Sequence, residues 1–159
     1  MERDLLVRTI RYSIERHQML KKMKQTQEEL RQFAHYDSLT GLPNRKLLYE
    51  HLGKAIARAR WENNIMAVMF LDVDKFKIIN DELGHALGDV LLQSVTKRIK
   101  NCMRQNDVLS RQGGDEFIIV LDDIGSKEYI SIVAERIRNT LSDVYVLEGK
   151  ELSISVSIG

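Results

Sequence analysis

The chain has one cysteine, Cys102, and one proline, Pro43. A lone thiol excludes an internal disulfide and fits a reducing compartment, where Cys serves as a small apolar core residue. An excess of one charge is also lacking: 24 Lys and Arg stand against 23 Asp and Glu, a net charge of +1. The basic surplus of a nucleic-acid binder is therefore absent. No apolar run approaches the roughly 20 residues that span a bilayer, and the longest, residues 65–71, is strand-sized. The N-terminus, Met1-Glu2-Arg3-Asp4, opens a polar helical pattern without the apolar core of a secretory leader. The expected location is the cytoplasm, with no membrane segment in this chain and no nucleic-acid partner.

What is present is the composition of a soluble folded protein, 43% hydrophobic and 30% charged. Its 159 residues suffice for one domain with a core plus an appendage. Residues 1–36 hold neither proline nor glycine and are rich in Arg, Lys, Glu and Gln, which predicts one long helix. Its apolar positions, Leu6, Ile10, Ile14, Leu20, Met23, Leu30 and Ala34, step by threes and fours with a break of phase near Leu20. Such a seam either pairs two subunits as a weak coiled coil or packs the helix on its own domain.

Residues 37–42 read as a loop, and Asn44 as the cap of a helix to about residue 61 with Leu48, Leu52, Ala55, Ile56 and Ala59 inside. A strand is expected over 66–72. A helix opening at Gly88 or Asp89 runs to about 102, burying Leu91, Leu92, Val95 and Ile99. Ser126 is expected to cap a third helix with Ile130, Val133, Ile137 and Leu141 inside. A closing hairpin pairs 144–147 with 152–158.

Two stretches carry the chemistry. In Arg111-Gln112-Gly113-Gly114-Asp115-Glu116-Phe117 the glycines predict a tight hairpin, since glycine alone accepts positive φ without strain. The hairpin brings Asp115 and Glu116 to the start of the apolar run 118–121. Carboxylates there are costly without a cation or metal as partner, although an ordinary acidic hairpin tip is the plain alternative. At the end of the run 65–71, Asp72 and Asp74 share one side of a strand by its period of two. Two strand ends with paired acids compose a candidate divalent-metal site.

Gly113-Gly114-Asp115-Glu116-Phe117 is, letter for letter, the signature of the GGDEF family of diguanylate cyclases. Three further stretches resemble that family in the right order: Asp37-Ser38-Leu39-Thr40-Gly41-Leu42-Pro43-Asn44-Arg45, then residues 70–77, then Asn80-Asp81-Glu82-Leu83-Gly84-His85-Ala86-Leu87-Gly88-Asp89. The resemblance implies an α+β, palm-like nucleotidyl-cyclase fold, with a central antiparallel sheet flanked by helices behind the long N-terminal helix. The domains would be a signalling helix over 1–36 and a GGDEF domain over 37–159. In the family, Ser157-Ile158-Gly159 is followed by a helix and a closing strand, so the domain is expected to lack both and to expose a sheet edge. Residues 5–16 are less specifically similar to the exit helix of a receiver or other input domain.

The resemblance further implies that two GTP condense to cyclic di-GMP and two pyrophosphates across a homodimer. Asp72, the Val73 carbonyl and Asp115 would hold Mg2+ or Mn2+, with Asp115 or Glu116 assisting deprotonation. Phe76 through its backbone, Lys77, Gly113 and Gly114 would meet the phosphates, and Asn80 and Asp89 the guanine. Asp89 reads otherwise as a helix-start acid. Arg104 and Asp107 match the spacing of an inhibitory cyclic di-GMP site, the plain alternative being a surface ion pair. Arg111 reads as a structural partner of the hairpin. Beside the cyclase stands a catalytically silent module that binds GTP or cyclic di-GMP, or that only dimerises.

Overall fold

The computed structural model describes residues 2–159, with the side chains of residues 11, 12 and 14–159. Residues up to Ala34 form one unit and His35–Gly159 another. The first is the helix α1, Glu2–His35, continuous because no residue in it breaks the backbone ladder. Ile14, Leu20, Met23 and Leu30 of the expected seam are exposed on it. Leu6, Ile10 and most of the stretch resembling a receiver exit lie outside the described side chains.

The second unit runs α2 (Arg45–Glu62), β1 (Ile65–Val73), α3 (Phe76–Leu83), α4 (His85–Asn101), β2 (Val108–Gly113), β3 (Glu116–Ile124), α5 (Glu128–Ser142), β4 (Tyr145–Leu147), β5 (Lys150–Leu152) and β6 (Val156–Ile158). Asn44 caps α2 as expected, its Oδ1 accepting from the amides of Lys46 at 3.0 Å and Leu47 at 3.2 Å. A four-stranded sheet has the order β2-β3-β1-β6, antiparallel throughout, so β1 is central. Among the described residues no helix is long and apolar enough to cross a membrane.

Period-two alternation sends Met69, Leu71 and Val73 of β1, with Phe117, Ile119 and Leu121 of β3, to one face. There they form the core with Leu91, Val95 and Ile99 of α4 and Val133, Ile137 and Leu141 of α5. Arg98 of α4 closes the C-terminal end of α5. Its guanidinium donates to the carbonyls of Thr140 at 3.1 Å, Asp143 at 2.6 Å and Val144 at 2.7 Å. On the other face α2 sets Leu48 and Ala55 against Val120, while Val68 and Phe70 stay exposed.

Four expectations need correction. The second long helix starts at His85, not at Gly88 or Asp89: Gly84, at φ 88°, already ends α3 and admits α4. Ser126 does not cap α5, whose first flanking residue is Lys127. The closing hairpin is split. β4 and β5 pair around Glu148-Gly149, both at positive φ, and β6 leaves to pair with β1. Ile56, placed inside α2, is 42% exposed, because helix phase turns it away from Leu48 and Ala55.

The uneven faces predict uneven costs. Ile137→Ala, at a fully buried site, should lose about 2–5 kcal/mol. Phe70→Ala, whose side chain is 62% exposed, should lose under about 1 kcal/mol. Urea unfolding of both variants checks the contrast.

Candidate active site

The Gly-Gly hairpin closes with Gly113 opposite Glu116, which leaves Gly114 and Asp115 at the tip. Gly113 at φ 142° and Gly114 at φ 52° occupy backbone that side chains resist. Arg111 holds this turn. Its Nε and Nη2 donate to the Gly114 carbonyl at 2.9 and 2.7 Å, and its Nη1 donates to Asp37 Oδ1 and Oδ2 at 3.0 and 2.9 Å. Asp37 Oδ1 also accepts from the Thr40 amide at 2.9 Å and the Thr40 hydroxyl at 2.5 Å. Pro43 offers its carbonyl to the Arg111 amide at 3.1 Å and to the Ser110 hydroxyl at 2.8 Å. Loop 37–43 and the hairpin thus form one bonded body.

β1 and β3 pair so that Asp72 lies directly across from Glu116. Two strands distant in sequence therefore deliver Asp72, Asp115 and Glu116 to one end of the sheet. Partial desolvation, then repulsion from Asp115, Glu116 and Asp74, raises the carboxyl of the exposed Asp72 above its ordinary value. Asp74 goes the other way. The hydroxyls of Ser155 and Ser157 donate to its Oδ2 and Oδ1 at 2.5 and 2.7 Å, and with Lys75 they hold its carboxyl low. Both Asp74 oxygens are engaged, which gives this acid a structural role between β1 and β6. Among the described residues no three His, Cys, Asp or Glu side chains form a ready-made metal cage. Magnesium commonly takes one or two carboxylates and completes its octahedron with water and substrate phosphates. The mutually repelling acids around Asp72 fit such a cation.

Val73, its side chain fully buried, ends β1, and Lys75 at φ 60° turns the chain into α3. The amides of Phe76 and Lys77 open that helix, where unpaired N–H groups and the helix dipole favour anions. The Phe76 ring is buried and Lys77 is exposed. Gly88 brings α3 and α4 together: a Cβ there would lie 1.9 Å from Asn80 Oδ1 and 3.3 Å from Phe76 Cζ. Asn80 Oδ1 is buried without a hydrogen-bond partner. Asp89 is exposed in the second turn of α4, not at its start, so the helix-start reading of this acid fails. A groove of about 660 Å³ over the uncovered half of the sheet is lined by Tyr49, Phe70, Asp72, Glu116 and Gly159, among others.

Arg104 and Asp107 do not form the surface ion pair that is the plain alternative to an inhibitory site. Asp107 Oδ2 accepts from the Arg104 amide at 2.7 Å, closing a turn, and the Arg104 guanidinium stacks on the Tyr129 ring at 4.0 Å. Sequence reading missed Tyr129, the Asp37–Thr40 turn and the Ser155–Ser157 pair. The latter two had signals: Asp-x-x-Thr spacing suits a side-chain-capped turn, and Ser-x-Ser places both hydroxyls on one side of a strand.

Burial alone would raise the Asp37 carboxyl, but the Thr40 hydroxyl and amide and the Arg111 guanidinium outweigh it and hold it below its ordinary value. A carboxyl lowered in the folded state contributes stability above its unfolded pKa of about 3.9, and that contribution is lost as pH falls through the lower folded value. Asp37→Asn should cost about 1–3 kcal/mol at pH 7 and flatten the acid limb below about pH 4. Circular dichroism from pH 7 to 2 measures both.

The sequence profile described as the diguanylate cyclase GGDEF domain matches residues 34–159. The cyclic di-GMP phosphodiesterase NbdA of Pseudomonas aeruginosa is 40% identical over 141 residues, 89% of this chain but 18% of that protein. The diguanylate cyclase TpbB of the same organism is 39% identical over 127 residues, 79% of this chain and 29% of that protein. The chain therefore spans less than a third of either relative. The solved GGDEF domain of TpbB superposes with a TM-score of 0.77 at 39% identity, covering 79% of this chain and 73% of that one. The coiled coil and GGDEF domain of DgcB from Caulobacter crescentus, solved with cyclic di-GMP, gives a TM-score of 0.80 at 26% identity over 91% of this chain and 78% of that one. With the palm-like α+β sheet in place and the signature turn on its hairpin, the chain belongs to the GGDEF family of diguanylate cyclase domains.

Proposed function

We propose that this domain condenses two GTP into cyclic di-GMP and two pyrophosphates, each GTP held by one subunit of a homodimer. The observation that carries the reading is the β1–β3 register, which sets Asp72 across from Glu116 beside the tip acid Asp115 and next to the start of α3. In this reading Asp72, the Val73 carbonyl and Asp115 hold Mg2+, or Mn2+ in its place. The cation supplies charge neutralisation at the phosphates and a lowered pKa for the attacking 3′-hydroxyl.

The protein's own groups do the rest. Asp115 or Glu116 accepts the 3′-hydroxyl proton. The Phe76 and Lys77 amides receive the outer phosphates, Lys77 adds positive charge, and Gly113 and Gly114 let backbone approach the nucleotide without a Cβ between. Guanine presents adjacent N1–H and N2–H donors that the Asp89 carboxylate accepts together. Asn80, whose Oδ1 lacks a partner, pairs with the base from the other side. A site built on such bonds rejects a base lacking the donors by orders of magnitude. Each 3′-hydroxyl attacks the α-phosphorus of the other nucleotide, so activity requires two domains face to face, and α1 with its exposed apolar side chains is the element that would pair them. Arg104 and Asp107 would hold cyclic di-GMP as an inhibitor once the guanidinium leaves Tyr129.

A second reading follows from NbdA, named a phosphodiesterase: in a longer protein the domain binds GTP or cyclic di-GMP and regulates without making product. Incubation with GTP and magnesium over a range of protein concentration, with cyclic di-GMP read by mass, separates the two. Product should rise more steeply than linearly with protein and fall about a hundredfold or more in Asp115→Ala. Saturable binding of GTP or cyclic di-GMP without product favours the regulatory reading, and no binding of either sinks both. Asp89→Asn should raise KM for GTP more than it lowers kcat, because guanine contacts are made in the ground state.

A further inference from the structure

Gly88 is buried at the end of the first turn of α4, where alanine would be the better helix former. It is not among the glycines of positive φ, so its backbone conformation does not require a missing side chain. A neighbour does. A Cβ at this position would lie 1.9 Å from Asn80 Oδ1, 3.1 Å from Asn80 Cγ and 3.3 Å from Phe76 Cζ. The Asn80 amide group thus fills the space that any side chain at position 88 would claim.

The backbone of Asn80 is fixed relative to that turn. Its carbonyl accepts from the Gly84 amide at 2.9 Å, and the Gly84 carbonyl accepts from the Gly88 amide at 3.2 Å. Its side-chain oxygen is turned into the crevice between α3 and α4, buried without a hydrogen-bond partner. Against the Cα–H of a glycine it gains only a weak contact. The reversed amide would bury two N–H donors there in place of one acceptor, which is the costlier loss. With Oδ1 inward, Nδ2 is the end of the amide that can donate to a ligand. The residue after Gly88 is the exposed Asp89, which offers acceptors only.

We propose that Gly88 is a positioning residue for base selection: its missing Cβ seats the Asn80 amide with Oδ1 inward, so that Nδ2 donates to the base while Asp89 accepts from it. The inference rests on the guanine reading of Asn80 and Asp89 given above. A donor and an acceptor are then presented to one base by two helices, and the contact at Gly88 sets how they stand to each other. Adding a Cβ drives the amide out of the crevice and spoils the donor, while the acids at the sheet end and the amides that open α3 keep their places.

The test is equilibrium binding by the full chain with magnesium, using the α,β-methylene analogues of GTP and ATP and, separately, pyrophosphate. The unsubstituted chain should prefer the guanine analogue. Gly88→Ala should weaken that analogue about tenfold, the worth of one lost hydrogen bond, and leave pyrophosphate affinity within about twofold. A general loss of structure would lower both together. In the pair Asn80→Ala and Asn80→Ala/Gly88→Ala, the second substitution should cost no further affinity, because the new Cβ has no amide to displace. The double variant should also melt above Asn80→Ala alone, as alanine replaces glycine inside a helix. This pair decides the matter even where Gly88→Ala alone fails to fold. A folded Gly88→Ala that binds the guanine analogue as tightly as before overturns the proposal, and so does an equal loss for pyrophosphate or an additive loss in the double variant. An unsubstituted chain with no preference for guanine over adenine instead defeats the guanine reading itself, and this inference with it.

Discussion

The Arg111 guanidinium, shared between the Asp37 carboxylate and the Gly114 carbonyl, is the interaction on which the rest of the site depends. Two adjacent glycines make a tight reversal possible, but they also give the unfolded chain more freedom to lose. A planar fork with donors on both edges restrains that freedom from outside the turn. Because the same group grips Asp37, it also fixes loop 37–43, which leads through Asn44 into α2. The hairpin tip, the loop and the helix covering β2 and β3 are thus referred to one side chain. The register of β1 on β3 then determines where the acids stand.

The two aspartates at the end of β1 are treated in opposite ways. Asp74 has a hydroxyl on each oxygen and is held ionised. Asp72, two residues earlier, is left among like charges. A satisfied acid anchors structure, whereas an acid kept in repulsion marks a candidate site for a cation. Folded proteins tolerate such local conflict where chemistry requires it.

Much of this was legible in the residues. The Gly113-Gly114 turn, the strand-sized apolar run through residues 65–71 and the apolar stripe of α5 each reflect a local rule that the tertiary structure obeys, and the family signature was legible in the turn itself. The failures share a cause, which is that a distant partner decided the outcome. Gly88 read as a helix opener by composition, yet its missing Cβ serves contact with Asn80 and Phe76. The run 152–158 read as one strand, yet its first part pairs with β4 and its last with β1. The stacking of the Arg104 guanidinium on Tyr129, more than twenty residues on in sequence, was missed for the same reason. The roles proposed for Asn80, Asp89 and Lys77 came only with the resemblance, because spacing alone carries no information about a ligand.

The junction of β6 with β1 also bears on the order in which the molecule assembles. Its hydroxyl contacts close loops of 81 and 83 residues, whereas the β2–β3 hairpin needs only its two-residue turn. Loop closure grows costlier with length, and short-range contacts form first. The hairpin with its acids is thus an early product of folding and the β6 latch a late one. The pairing that brings Asp72 to Glu116 spans a shorter stretch of chain than the one that brings Ser155 and Ser157 to Asp74, so the electrostatic asymmetry between the two aspartates rests on the longer closure.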